Sequence, residues 1–257
     1  MKKKKAIKIL LTVVSFLSLL LFINFIPAFD LKTAGMNMLK GVWVNVYYEN
    51  EKAAATDTFT LADERAGELA ELLGVTAKPE INIYIYDNQA TMQTKKYGFV
   101  APLLDLDWYI GDNVGTNVIL TSPANPGEVH DYENNKNAAL HEIIHAYNSV
   151  INRHMTHWID NGLAGYLSGQ TPQSDLLSYS TIPTLDQTHV GGLFAPIIFS
   201  DFGGYAYSYT YIEYLNDTFS WDSVKQFAAD GDYIDSFGID EKEVYNGWVT
   251  YLKNNYS

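Results

Sequence analysis

The sequence predicts an α+β fold: mixed strands and helices over residues 40–133, then helices over residues 134–257, behind a separate apolar N-terminal segment. Three observations predict it. The hexapeptide Ile81-Asn82-Ile83-Tyr84-Ile85-Tyr86 alternates at period two, the pattern of a strand with one face on a core. From Asn134 onward the apolar residues recur instead at helical spacing. Finally, 47% hydrophobic and 18% charged residues are enough to bury a sizeable core, which excludes a disordered chain.

The first 29 residues differ in kind from the rest. Lys2 to Lys5 and Lys8 precede an apolar run of 18 residues from Ile9 to Ile26, broken by Thr12, Ser15, Ser18 and Asn24. A basic stretch followed by an apolar core is an export pattern. The run exceeds the roughly 7–15 residues of a cleaved signal and approaches the roughly 20 that cross a bilayer. Two outcomes stay open, an uncleaved signal-anchor or a signal cleaved after Ala28. In both, the lysines stay cytoplasmic and residues 30–257 face outward, held at the cell membrane by a single span or secreted.

Residues 31–40 read as a juxtamembrane connection. Val42 to Tyr48 alternates as a strand, and Thr60 to Leu73 has helical spacing that stops at Gly74. After the Ile81–Tyr86 strand, Asp87-Asn88 can cap a helix running through Lys96. Trp108 to Ile110 and Asn117 to Thr121 read as short strands, with a turn at Gly111-Asp112-Asn113 and Gly115. Helices are predicted over Asn137 to Ile151, Trp158 to Ser168, Tyr205 to Leu215, Trp221 to Ala229 and Glu241 to Asn254. Residues 169–203 hold most of the irregular chain.

Charge and cysteine content exclude whole classes of function. Removing the N-terminal segment leaves 12 basic residues against 30 acidic ones, a net charge of −18. Such a domain repels nucleic acid, so no nucleic-acid role is expected. There is no cysteine, which excludes disulfides, thiol nucleophiles, Cys-ligated zinc and acylation of a lipoprotein cysteine. An exported, disulfide-free domain fits a bacterial cell surface better than a eukaryotic secretory pathway.

The chemistry concentrates in His141-Glu142-Ile143-Ile144-His145. Histidines at i and i+4 share one helical face, so both imidazoles can reach one ion. Catalytic zinc takes neutral nitrogen ligands and keeps one position for water. Glu142, beside the first histidine, can take the proton of that water as general base. A chance match to this pattern is expected about 0.006 times in a chain of this composition. Leu140, Ile144, Tyr147 and Ile151 form an apolar stripe beside the polar stripe of His141, His145, Asn148 and Asn152. That is the pattern of a helix packed on one side and lining a cleft on the other.

The third ligand is less direct. A metzincin would continue with glycine and histidine where this chain has Asn148 and Ile151, so that class is excluded. The segment Trp158-Ile159-Asp160-Asn161-Gly162-Leu163-Ala164-Gly165-Tyr166-Leu167 instead resembles the second motif of gluzincin zinc metallopeptidases. It is similar in particular to small families whose motif runs Trp-Leu-x-Glu-Gly-x-Ala-x-Tyr. The resemblance covers most of the chain from about residue 40, including the strand before Ser122-Pro123 and the aromatic helix after residue 204. It implies a thermolysin-like fold with a zinc-bound water between the two lobes. Where the family has its ligating glutamate, this chain has Asn161, with Asp160 one residue before. An amide oxygen is a weaker donor than a carboxylate. Asp160 is chemically better but points about 100° away around an ideal helix. Both stay open as ligands, and both can also act as helix caps.

Supporting roles follow from the same resemblance. A tyrosine can steady the oxyanion formed when water attacks a carbonyl, and Tyr205 is the candidate from the run Tyr205 to Tyr211. Glu213 is either an orienting partner for a ligand histidine or a solvated side chain. His154 and His157 read as polar loop residues flanking Trp158, while His130 and His189 show no pattern. The Asn117–Thr121 strand offers an edge for an extended peptide. The expectation is an extracytoplasmic zinc metallopeptidase acting on peptide or protein substrates. The alternative is a pseudo-peptidase that keeps the fold and serves as an envelope binding or scaffold module.

Overall fold

Five short strands form a mixed sheet in the order β1-β2-β3-β5-β4: β1 (Asn37–Lys40), β2 (Val44–Tyr48), β3 (Ile81–Tyr86), β5 (Asn117–Thr121) and β4 (Gly111–Val114). The computed structural model describes residues 2–192 and 194–257, with side chains from Lys4 onward. The central pairings β2–β3 and β3–β5 are parallel, and the outer ones, β1–β2 and β4–β5, are antiparallel. The parallel steps need crossovers, supplied by α2 (Lys52–Leu73) and α3 (Gln89–Tyr97).

Period two decides which residues face which layer. Ile81, Ile83 and Ile85 join Val118 and Leu120 on one face, under α2 and α4 (Tyr132–Ile151). Tyr84, Tyr86 and Ile119 point the other way and pack with Met92 of α3 and with Leu106 and Tyr109. The result is a three-layer α+β half with helices on both faces of the sheet. Asp63 on α2 ties the β1–β2 turn down by accepting the backbone N–H groups of Val42, Trp43 and Val44 at 3.0, 2.6 and 3.0 Å. Burial opposes its ionisation, but these donors and Lys78 hold its carboxyl below the ordinary carboxylate value.

The second half is helical: α5 (His157–Ser168), α6 (Leu176–Tyr179), α7 (Ala195–Asp201), α8 (Gly204–Thr218), α9 (Trp221–Asp230), α10 (Tyr233–Phe237) and α11 (Glu241–Asn255). Its centre is Trp158, whose ring meets Phe199, Tyr211 and Trp248 edge-on at centroid distances of 5.8, 5.9 and 5.5 Å. α5 and α8 cross closely because Gly162 has no side chain. A Cβ there would sit 2.5 Å from the Ser208 carbonyl oxygen.

Four sequence expectations are corrected. The outer strand is Gly111–Val114, not Trp108–Ile110, and its hairpin turns at Gly115, where φ is +60°. Asn117–Thr121 is therefore an interior strand, paired on both sides, and β4 is the edge. The connection at 31–40 contains β1, which pairs with β2. α2 begins at Lys52 rather than Thr60, because Ala54, Ala55 and Thr58 are already buried on its inner face. The helix ahead of all this, α1 (Lys2–Asn24), is solvent-exposed and apolar enough over Lys4–Asn24 to cross a membrane or act as a signal.

Candidate active site

α4 passes beneath the sheet and presents its polar stripe to a cleft of about 1180 Å³. The side chain of Asp131 caps its first turn by accepting the Asn134 N–H at 2.8 Å. Its apolar stripe is fixed from behind: Leu140, Ile143, Ile144 and Tyr147 are buried, and the Tyr147 hydroxyl donates to the Ala66 carbonyl of α2 at 2.8 Å. His141, Glu142 and His145 all line the cleft and are buried. Their two imidazole rings lie 4.7 Å apart between centroids.

α5 forms the facing wall. Its Thr156 cap opens the helix, and Asp160 and Asn161 follow within two turns on the cleft side. Asp160 Oδ1 lies 2.7 Å from Nδ1 of His145 and accepts from Asn148 Nδ2 at 2.8 Å. The pair is mutually stabilised against its burial: Asp160 is held ionised and His145 above its ordinary value. Asp160 meets Nδ1 at ion-pair distance without hydrogen-bond geometry, which leaves Nε2 as the nitrogen of His145 away from the carboxylate. The Asn161 amide N–H donates to the His157 carbonyl at 2.8 Å, and its side chain lines the cleft beside His141 and Gln170. Asp160 thus reaches His145 across the cleft while Asn161 turns back on His157 of its own helix, about 100° apart around α5.

The remaining electrostatics follow from burial. Burial, helped by the charge on His145, pushes His141 down to about 3, so its imidazole is neutral at physiological pH. Its Nδ1 is buried without a protein partner. Burial pushes Glu142 up to about 8, against the pull of His145. Gly111 of β4 passes directly over Glu142, and a Cβ there would lie 3.0 Å from its Oε1. The edge strand and the carboxylate are in contact because position 111 has no side chain.

No protein-family model matches the sequence, and no curated protein matches it either. The site therefore stands on its own chemistry.

The six residues predicted from sequence, His141, Glu142, His145, Asp160, Asn161 and Tyr205, all line this one cleft. Tyr205 packs against Trp108 and Phe199, and burial beside Glu142 raises its phenol above the ordinary value. Glu213 is elsewhere: it accepts from the Tyr256 hydroxyl at 2.6 Å and is not in the cleft lining. His154 is exposed in the α4–α5 loop, as expected.

Sequence reasoning missed several cleft residues. His157 is the first residue of α5 rather than a loop residue, one turn before Asn161, and burial pushes it down to about 4. Its i−4 spacing to Asn161 was the available signal. His130 and His189 also line the cleft, the first with Nε2 2.8 Å from the Trp108 carbonyl oxygen. Lys96 and Asp112 form a 2.7 Å ion pair in the wall, and both act on Glu142 electrostatically. They are 16 residues apart with no motif between them, so only the fold brings them together.

Proposed function

We propose that this chain is a zinc-dependent peptide hydrolase of thermolysin-like, gluzincin type, acting outside the cytoplasmic membrane on peptide or protein substrates. One observation carries the proposal: His141, Glu142 and His145 are buried together on one cleft wall, with the Asp160 carboxylate against Nδ1 of His145. A carboxylate on the far nitrogen of an imidazole is the arrangement that orients metal-ligating histidines.

The residues fit zinc through a modest donor set. His141 is neutral with a buried, unpartnered Nδ1, His145 would offer Nε2 once zinc displaces its proton, and Asn161 faces the cleft from the opposite helix. Zinc, when bound, would supply a Lewis acid that acidifies water and polarises a carbonyl. Glu142 would take the proton of the attacking water and return it to the leaving amine. Glu142, buried in the cleft beside both histidines, is placed for both transfers. Tyr205 would donate to the developing oxyanion. An extended substrate would pair along β4, the free edge above Glu142, and Gly111 lets its backbone approach.

A second reading has a specific observation behind it. Among the described residues, no group of three or more His, Cys, Asp or Glu side chains is arranged to hold a metal ion. The amide at Asn161, where the family has its ligating glutamate, accounts for that and is what motivates a pseudo-peptidase serving as a binding or scaffold module. Zinc content after exhaustive dialysis, measured with peptide hydrolysis on the full chain and on Glu142→Ala, separates the two. The enzyme reading expects about one zinc per chain in both proteins, with hydrolysis falling by roughly 10²-fold or more in the variant. A folded chain without zinc or activity would support the binding module. Undiminished hydrolysis by Glu142→Ala would overturn the mechanism.

A further inference from the structure

The end of α1 is built into the folded domain rather than flexibly linked to it. The Asn24 side chain donates to the Tyr97 carbonyl at 3.0 Å and accepts the Val100 N–H at 3.0 Å, bridging more than 70 residues of sequence. Gly98, with φ +76°, is required there, because a Cβ would collide with the Asn24 carbonyl. The helical turn Gly98–Leu103 is thereby fixed against the turn Ile26–Phe29 that follows α1.

Both turns point large apolar side chains into solvent. Phe99, Val100 and Leu103 are 60%, 43% and 82% exposed, and Ile26 and Phe29 are 47% and 72% exposed. Nothing among the described residues covers them. The exposed apolar surface of α1 runs directly into this patch, so a bilayer that takes up α1 meets the patch at its surface. Lys95, whose ammonium is bonded to the Asp30 carbonyl, adds a cation at the same level. Asp105 and Asp107 follow in the chain and confine insertion to the turn itself.

We propose that Gly98–Leu103 is a second membrane contact, inserted shallowly into the outer leaflet beside α1. It holds the domain in one orientation, with the cleft close to the lipid surface, since Lys96 and Tyr97 in the cleft wall immediately precede the inserted turn. The inference rests on α1 remaining attached and not on what the cleft hydrolyses.

The chain has no cysteine, so single labels are unambiguous. The full chain carrying Leu103→Cys, Phe99→Cys or Asn254→Cys, each labelled with an environment-sensitive fluorophore, is reconstituted into phosphatidylglycerol–phosphatidylcholine nanodiscs. The expected result is blue-shifted emission, quenched by nitroxide lipids, at positions 103 and 99, and water-like, unquenched emission at 254 on α11. Water-like emission at 103 and 99 overturns the proposal. So does a blue shift that lipid nitroxides do not quench and that grows with the number of chains per disc, which would assign the patch to a second copy. An intact mass showing loss of α1 from protein recovered from cells would also overturn it, whatever the zinc content.

Discussion

Asp160 and Asn161 are adjacent in sequence, yet they touch different groups. Asp160 lies 2.7 Å from Nδ1 of His145, whereas Asn161 donates to the His157 carbonyl at the start of its own helix. If Asp160 orients an imidazole while Asn161 faces the ion, substitutions at the two positions act in opposite directions. Asp160→Asn is expected to weaken zinc binding by about 10–100-fold, the usual cost of losing an orienting carboxylate. Asn161→Glu is expected to tighten it, because a carboxylate replaces an amide as donor. Competitive titration against a chromophoric chelator reads both. Tighter binding by Asp160→Asn, or weaker binding by Asn161→Glu, would reverse the assignment. The motif histidines and Glu142 were legible in the sequence because i, i+4 spacing on a helix is itself the geometry. Which groups 160 and 161 contact was not, because that depends on the rotation of α5 against α4. That rotation is set by packing around Trp158, not by local sequence.

The crossing of α5 and α8 shows how an element's placement becomes a stability prediction. Replacing a helical glycine with alanine ordinarily gains up to about 1 kcal/mol. At Gly162 the new Cβ would meet backbone, the Ser208 carbonyl oxygen at 2.5 Å, and Ile212 at 2.8 Å. Overpacking costs about 1–3 kcal/mol, so the net effect should be destabilising. Gly165, one turn further on, has its nearest neighbour at 3.8 Å, and Gly165→Ala should be neutral or stabilising. Urea melts of the two variants check the contrast, and equal midpoints would contradict it. The small residues of α5 suggested a close helix approach from sequence, but not that Gly162 makes it. The sheet was legible where alternation was strong, as in Ile81–Tyr86. It was misread at β4, because Gly-Asp-Asn is turn-like by composition and is held extended only by pairing with Leu120 and Ile119. β1 was missed for a similar reason. Four residues carry little periodicity, and their strand character comes from Val46 and Tyr48 across the hairpin.

At the scale of the molecule, the change from mixed strands and helices to helices alone suggests two lobes, yet one apolar core runs through both. It joins Val46 and Ile83 of the sheet to Ile143 and Tyr147 of α4, and continues through Leu163 to Trp158, Tyr211 and Trp248. α4 is shared: its inner face completes the sheet layer, while its contacts with α5 fix the cleft. Neither half can close its core without α4, so loss of one exposes the apolar face of the other. The core residues all follow residue 30, so the domain over 30–257 should fold without α1. It should also unfold in one cooperative step despite its size, where larger chains often populate intermediates. Trp43 and Trp108 report on the mixed half, and Trp158, Trp221 and Trp248 on the helical half. In a urea titration of residues 30–257, a Trp43→Phe, Trp108→Phe variant and a Trp221→Phe variant should each give a fluorescence midpoint matching its own far-UV circular dichroism. Separated midpoints would mean that the helical half keeps a core of its own, and that the cleft lies between two units able to open independently.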